Sequence, residues 1–250
     1  MKSERMKTFR RKMVRPLWGF FLLLTSPLLL YIKTLRLLGF RRVTDDAVTK
    51  WSKRVLSIMN TVLGAKIKVV GAENIPEQRP LVFISNHQGH MDSSVLHAVI
   101  PVQTSFISIV SALTIPIMRT WMKEMRCLFM DRSNMHQSAQ CILDAIELVK
   151  SGYNMVIFPE GRTSGGTQMN EFKRGSFQLA FRTGAPIVPI TISGAYKMMG
   201  YHGEILDPAD VSVTFSKPIL TAGVTKDGEK EIIRQVIAAI ASNLPEQVSL

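Results

Sequence analysis

The chain is short of several things, and each shortage narrows what it can be. Only 2 of its 250 residues are cysteine, too few for a disulfide framework or a four-cysteine zinc site. Cys127 and Cys141 instead read as buried thiols of a reducing compartment. There is no Gly-x-Ser-x-Gly elbow, no Gly-x4-Gly-Lys-Ser/Thr phosphate loop and no Gly-x-Gly-x-x-Gly turn. Serine hydrolases, nucleotide hydrolases and dinucleotide enzymes therefore lose weight. No internal repeat or low-complexity stretch occurs. A hydrophobic share of 46% with 20% charged residues excludes a disordered chain, and the length is enough to bury a sizeable core.

Acidic residues are also scarce, 19 against 31 Lys and Arg, for a net charge of +12. That excess is local. Residues 1–54 hold 14 Lys/Arg and 3 Asp/Glu, whereas residues 55–250 hold 17 and 16. A nucleic-acid binder would carry its charge on the folded body, so no nucleic-acid partner is expected. The basic character belongs to an N-terminal arm, residues 1–64, ahead of a nearly neutral body, residues 65–250.

Within the arm, seven cations from Lys2 to Arg15 precede an uncharged run of 16 residues, Leu17–Ile32, interrupted by Pro27. A bilayer crossing needs about 20 residues of straight helix. Lys33, Arg36, Arg41 and Arg42 follow, so both flanks are basic and prefer the cytoplasmic side. A kinked insertion into one leaflet satisfies both. A tilted anchor extended to Leu38 is the alternative, and a signal peptide lacks its small-x-small site. The cations add attraction to an anionic membrane surface. The expected location is the cell membrane at its cytoplasmic face, with monotopic or single-anchor attachment. Thr44-Asp45-Asp46 predicts the N-cap of a second, amphipathic helix reaching Gly64.

Beyond Gly64 short apolar runs alternate with helical periodicity. Strands are predicted at Lys66–Val70, Leu81–Ser85, Thr104–Ile109, Cys127–Met130, Asn154–Phe158, Ile187–Ile192 and Val211–Phe215, and helices near 91–100, 114–123, 135–151, 172–183 and 228–243. The pattern predicts an α/β fold: a central, largely parallel sheet of about seven strands flanked by helices. Sites in such sheets gather at the carboxyl ends of strands.

Two strand ends carry chemistry. The strand ending at Ser85 runs into Asn86-His87-Gln88-Gly89-His90-Met91-Asp92. A helix starting near Met91 would let Asp92 fold back to His87, fixing its tautomer and stabilising its imidazolium. His87 then becomes a general base toward an alcohol. His87, His90 and Asp92 also offer three potential metal ligands, so a metal-dependent hydrolase stays open. The strand ending at Phe158 runs into Pro159-Glu160-Gly161-Arg162-Thr163-Ser164, whose Arg162 presents a planar fork to phosphate. Asp131-Arg132 follows another strand, and Lys173-Arg174 opens a helix. Together these describe a site for an anion bearing a hydroxyl.

In these blocks the sequence resembles the glycerolipid acyltransferase family, of the 1-acylglycerol-3-phosphate acyltransferase type. Asn86–Asp92 matches its His-x4-Asp block, Leu128-Phe129-Met130-Asp131-Arg132 its second, Phe158–Ser164 its third and Ile187-Val188-Pro189-Ile190 its fourth, in family order. The second block often has glycine where this chain has Arg126, and the third often places threonine before arginine. The resemblance implies acyl transfer from a thioester, acyl-CoA or acyl-acyl carrier protein, to the hydroxyl of a lysophospholipid, without cofactor or metal. It implies His87 and Asp92 as catalytic. Arg132, Glu160, Gly161, Arg162, Lys173 and Arg174 would then gather round the acceptor phosphate.

Overall fold

A computed structural model describes residues 25, 27–114, 116–199 and 207–245. The basic segment 2–15 and the larger part of the apolar run Leu17–Ile32 lie outside the described residues, as does the kinked insertion expected there. Helix α1 covers 27–37 and α2 spans Arg41–Val62. Among the described residues no helix is long and apolar enough to cross a membrane.

The start of α2 differs from the expectation. The helix runs back to Arg41 without a side-chain cap, because Asp45 is employed elsewhere. Its buried carboxylate receives Arg36 of α1 at 2.6 Å, Arg126 at 3.1 Å and the Tyr153 hydroxyl at 2.8 Å. A buried carboxylate needs such partners, and one pointed at three distant donors cannot cap its own helix. Arg126 is the only non-glycine residue with positive φ (58°) among the described residues. L-residues are strained there by roughly 1–2 kcal/mol, so the backbone at this place favours glycine. Here the ion pair to Asp45 and a stack over the Tyr153 ring at 4.4 Å offset the strain.

The strands are β1 (Ala65–Val70), β2 (Val82–Ser85), β3 (Thr104–Ile109), β4 (Leu128–Met130), β5 (Asn154–Ile157), β6 (Ile187–Ser193) and β7 (Ala209–Phe215). They form one sheet in the order β1-β7-β6-β2-β5-β3-β4. All neighbours are parallel except β6 and β7. The carboxyl ends of β6, β2, β5, β3 and β4 therefore share one edge, and the amino end of β7 joins them. Central strands are buried almost throughout and mostly apolar because both faces are covered. Phe83, Val156 and Ile190 face one hydrophobic cluster with Leu96 of α3 (Asp92–Val99). Val82, Ile84 and Met155 face another with residues of α5 (Met135–Lys150), α6 (Gln178–Phe181) and α7 (Lys226–Ala241). Each fully buried Phe, Ile or Leu contributes about 1.5–3 kcal/mol.

The helix expected over 114–123 is α4 (Pro116–Glu124), preceded by a 3-10 turn. Proline suits a first helical position because its missing N–H would be unpaired anyway. The helix expected over 172–183 is instead a 3-10 turn, Arg174–Phe177, followed by the short α6. Gly175 near its start costs about 1 kcal/mol of helix propensity. Helix α2 is tied to α3 by polar contacts: Ser52 to His97 at 2.8 Å, Ser94 to Asn60 at 2.9 Å, and Lys53 to the carbonyls of Ile100 and Val102. Cys127 and Cys141 are free and buried, and burial pushes their thiols up to about 12 and about 11.

Candidate active site

His87 lies just past the end of β2, the middle strand of the sheet. The segment 86–91 is a tight connection from strand to helix. Its shape is held by Asn86, whose side chain donates to Ile192 O and accepts from Ile192 N at 2.9 and 2.8 Å. That pairing continues the β2–β6 ladder by one side chain. Gly89 comes next and lets the turn pack closely, since a Cβ there would lie 3.0 Å from the Tyr196 backbone, tighter than ordinary contact. The chain then enters α3 with Asp92 in its first turn, where the helix dipole favours a carboxylate.

His87 Nδ1 and Asp92 Oδ2 are 2.8 Å apart. The same oxygen accepts from Gly89 N–H at 2.9 Å, and Asp92 Oδ1 has no partner. Asp92 is fully buried, whereas the His87 side chain remains 13% exposed. A carboxylate on Nδ1 fixes that nitrogen as the N–H and leaves Nε2 as the basic atom. Nε2 has no partner among the described residues. The imidazole stacks on Phe158 at 4.2 Å with 22° between planes, so the ring is clamped on a second side.

The β5 loop holds the other side of His87. Glu160, which the resemblance places at the acceptor phosphate, is 3% exposed and has both carboxylate oxygens engaged inside the protein. Its Oε1 accepts from His87 N–H at 2.6 Å, and its Oε2 accepts from Asn170 N–H and Nδ2 at 2.7 and 2.8 Å. Burial lifts its carboxyl above the usual range, against the hydrogen bonds that lower it. Glu160 is thus a brace for the backbone of His87. Ser164 N–H and Gly165 N–H donate to the carbonyls of His87 and Gln88 at 2.7 and 3.0 Å, strapping the loop along the His87 segment.

The predicted anion ligands do not form one group. Arg162 and Lys173 are exposed and make no ion pair among the described residues. Gly161, at φ 70° with its N–H bonded to Phe158 O, contributes room rather than a donor, since a Cβ would meet Lys173 Nζ at 3.0 Å. Arg132, also exposed and unpaired among them, stands at the same edge beyond β4, three strands or roughly 14 Å from β2. Arg174 differs from these in pairing with Glu229 of α7 at 2.8 Å, which leaves its guanidinium less free for an anion. His87, His90 and Asp92 do not converge as ligands: among the described residues no three His, Cys, Asp or Glu side chains could hold a metal.

Sequence reasoning missed Phe158, Asn170 and Gln88. Phe158 ends an apolar strand and looks like core. Asn170 meets Glu160 only through the fold of the loop. Gln88, 1% exposed, accepts from Gly194 N–H at 2.9 Å and bridges β2 to β6.

The sequence matches the acyltransferase family over residues 66–193. It is 36% identical over 156 residues to a chloroplastic 1-acyl-sn-glycerol-3-phosphate acyltransferase of Brassica napus, covering 62% of this chain and 45% of that one. It is 29% identical over 192 residues to the 1-acyl-sn-glycerol-3-phosphate acyltransferase of Saccharomyces cerevisiae, covering 76% and 63%. The chain spans about half the length of the curated relatives it matches. Its fold is similar to the crystal structure of the 1-acyl-sn-glycerophosphate (LPA) acyltransferase PlsC from Thermotoga maritima, with TM-score 0.75 and 24% identity over 97% of this chain and 95% of that one. The matched region takes in just over half of the chain, from the first strand to the end of β6, and on that ground the protein belongs to the acyltransferase family.

Proposed function

We propose that the protein transfers a fatty acyl group from a thioester to the free hydroxyl of a lysophospholipid, 1-acylglycerol-3-phosphate, to give phosphatidic acid. The observation that carries this is the His87–Asp92 pair with Nε2 left open at the strand edge. Nε2 removes the hydroxyl proton as the oxygen attacks the thioester carbonyl. Collapse of the tetrahedral intermediate breaks the carbon–sulfur bond, and the imidazolium returns the proton to the leaving thiolate. Asp92 stabilises the imidazolium between those steps. A positioned base of this kind contributes about 10²–10⁴ in rate.

The acceptor follows from charge. Arg162 and Lys173 beside the loop, with Arg132 further along the edge, lack internal counter-ions among the described residues. A phosphomonoester carries more negative charge than a zwitterionic headgroup and makes fuller use of them. The donor is an acyl-CoA or an acyl-acyl carrier protein. The similarity to proteins named as 1-acyl-sn-glycerol-3-phosphate acyltransferases supports the reading.

A membrane surface is the third partner in this proposal, at the cytoplasmic face of the cell membrane. Helices α1 and α2 and the turn between them expose Leu37, Leu38, Phe40, Val43, Trp51 and Ile58, with Lys33, Lys50 and Arg54 exposed among them. Apolar side chains interleaved with cations suit the headgroup boundary of an anionic bilayer.

The test is an assay of the purified full chain with a panel of lysolipids and both thioester carriers, products resolved by mass. Phosphatidic acid formed preferentially from 1-acylglycerol-3-phosphate supports the proposal. Absence of acylated product from every lysolipid refutes it. In the same assay Arg162→Ala should raise the KM for the acceptor and leave that for the donor.

A further inference from the structure

Carboxamide side chains carry the sheet past the ends of its strands. Asn86 does so where β2 gives way to the His87 turn. Gln137 does so at β4, the outermost strand, Leu128–Met130. Its Nε2 donates to Phe129 O at 2.9 Å, and its Oε1 accepts from Asp131 N–H at 2.6 Å. A residue on a parallel strand pairs in the same way, donating to the carbonyl before a given position and accepting from the N–H after it. Gln137 thus stands in for a neighbouring strand around Met130.

Gln137 is the third residue of α5, where a glutamine ordinarily reaches back to the N–H of the N-cap. Here the cap is Asn134, whose side chain accepts from Gln137 N–H at 3.0 Å, and the Gln137 side chain reaches past it to β4. Ser138, the next residue, donates to Asp131 O at 2.7 Å, and Asn134 N–H donates to the same carbonyl at 3.2 Å. The Asp131 carboxylate is engaged by Ser133, whose N–H and Oγ–H donate to Oδ1 at 3.0 and 2.6 Å. The backbone of Asp131 is therefore fixed on both sides by the start of α5. Its neighbour Arg132 is exposed and makes no ion pair among the described residues. A three-residue edge strand with few partners opens readily, and a cation carried on it would lose more freedom on meeting an anion.

We infer that Gln137 is a positioning residue for the acceptor: by fixing Asp131 it holds Arg132 ready for the acceptor's phosphate. The inference rests on the acyl-transfer reading above, in which Arg132 is one of the cations available to that phosphate. Gln137 acts on acceptor binding and not on the proton transfer at His87, three strands away. Ser138 acts in the same way with a smaller share.

The experiment measures kcat and the KM values for 1-acylglycerol-3-phosphate and palmitoyl-CoA, with the purified full chain in detergent micelles. Gln137→Met, Arg132→Ala and the double variant are compared with the wild type. Methionine keeps the length of glutamine and removes both hydrogen bonds. Acceptor KM should rise about three- to tenfold in Gln137→Met and about tenfold or more in Arg132→Ala, with kcat and donor KM within about twofold of the wild type. The double variant should match Arg132→Ala within about twofold, because a residue acting through Arg132 then has nothing left to position. An unchanged acceptor KM in Gln137→Met overturns the inference, as do effects that multiply in the double variant or a fall in kcat alone. Should Gln137→Met fail to fold, Ser138→Ala carries the test: a rise in acceptor KM of about threefold, absent in the Arg132→Ala background, supports the inference, and no rise overturns it. Failure of the underlying reading looks different, since the unaltered protein would then form no acylated lipid at all.

Discussion

Replacing Asp92 with asparagine separates what its charge does for chemistry from what it does for stability. Only one carboxylate oxygen is used: Oδ2 accepts from His87 Nδ1 and Gly89 N–H, while the buried Oδ1 has no partner. A half-satisfied buried anion is a poor stabilising device. Asparagine has the same shape, and its amide oxygen can accept both hydrogen bonds. The Asp92→Asn protein should therefore melt no more than about 3 °C below the wild type, less than a lost buried hydrogen bond would produce. Activity should respond differently. At 2.8 Å the attraction between the carboxylate and an imidazolium is about 6 kcal/mol at an effective dielectric of about 20, and desolvation takes back part of it. Between half and nearly all of that, delivered as His87 becomes cationic, corresponds to a loss of about 10²–10⁴ in kcat. The assay is thiol release from an acyl thioester at saturating lysolipid, run beside thermal unfolding. A kcat within fivefold of wild type would refute the role given to the charge. A fall of more than 10 °C in melting temperature would make Asp92 a structural residue instead.

Other perturbations test the supports. Glu160→Ala strips an acceptor from three donors around His87 and Asn170; unfolding should lose about 2–4 kcal/mol, and Glu160→Gln, which restores part of the set, should recover some of it in a urea titration. At position 126, φ 58° favours glycine while Asp45 and Tyr153 favour arginine. Melting temperatures should rank Arg above Gly and Gly above Ala, with a Gly–Ala gap of about 1–2 kcal/mol; alanine as stable as glycine would remove the strain argument. Burial, helped by Lys53, lowers the His97 imidazole to about 3, below the unfolded value of about 6.5. The stability from keeping it neutral is present above pH 6.5 and lost as pH falls toward 3. Melting temperature should drop between pH 7 and pH 5, and drop less in His97→Gln; equal slopes would acquit His97.

The parts of this fold visible in the sequence are those whose physics is local. Continuous apolar strands such as Val82–Ser85 and Ile187–Ser193 are legible because both faces of the sheet are covered. The His87–Asp92 contact is legible because five residues of turn and helix start suffice to close it. Contacts spanning the chain are not. Glu160 reaches His87 across 73 positions and Arg174 reaches Glu229 across 55, so neither partner is visible from the residues around that carboxylate or that cation. Asp45 shows the same blindness: an Asp before an apolar helical period reads alike whether it caps its own helix or bridges Arg36, Arg126 and Tyr153. Arg126 itself carries a local signal, a glycine position occupied by a long cation, whose meaning depends on an aromatic ring 27 positions away.

The central claim is that His87 Nε2 takes the proton from a lysolipid hydroxyl. It is tested most directly by incubating purified wild-type and His87→Ala protein with 1-acylglycerol-3-phosphate and a long-chain acyl thioester, and measuring phosphatidic acid by mass. The account predicts product from the wild type and a rate lower by about 10²–10⁴ from the variant, with melting temperature little changed. Phosphatidic acid formed at comparable rates by both proteins would contradict it.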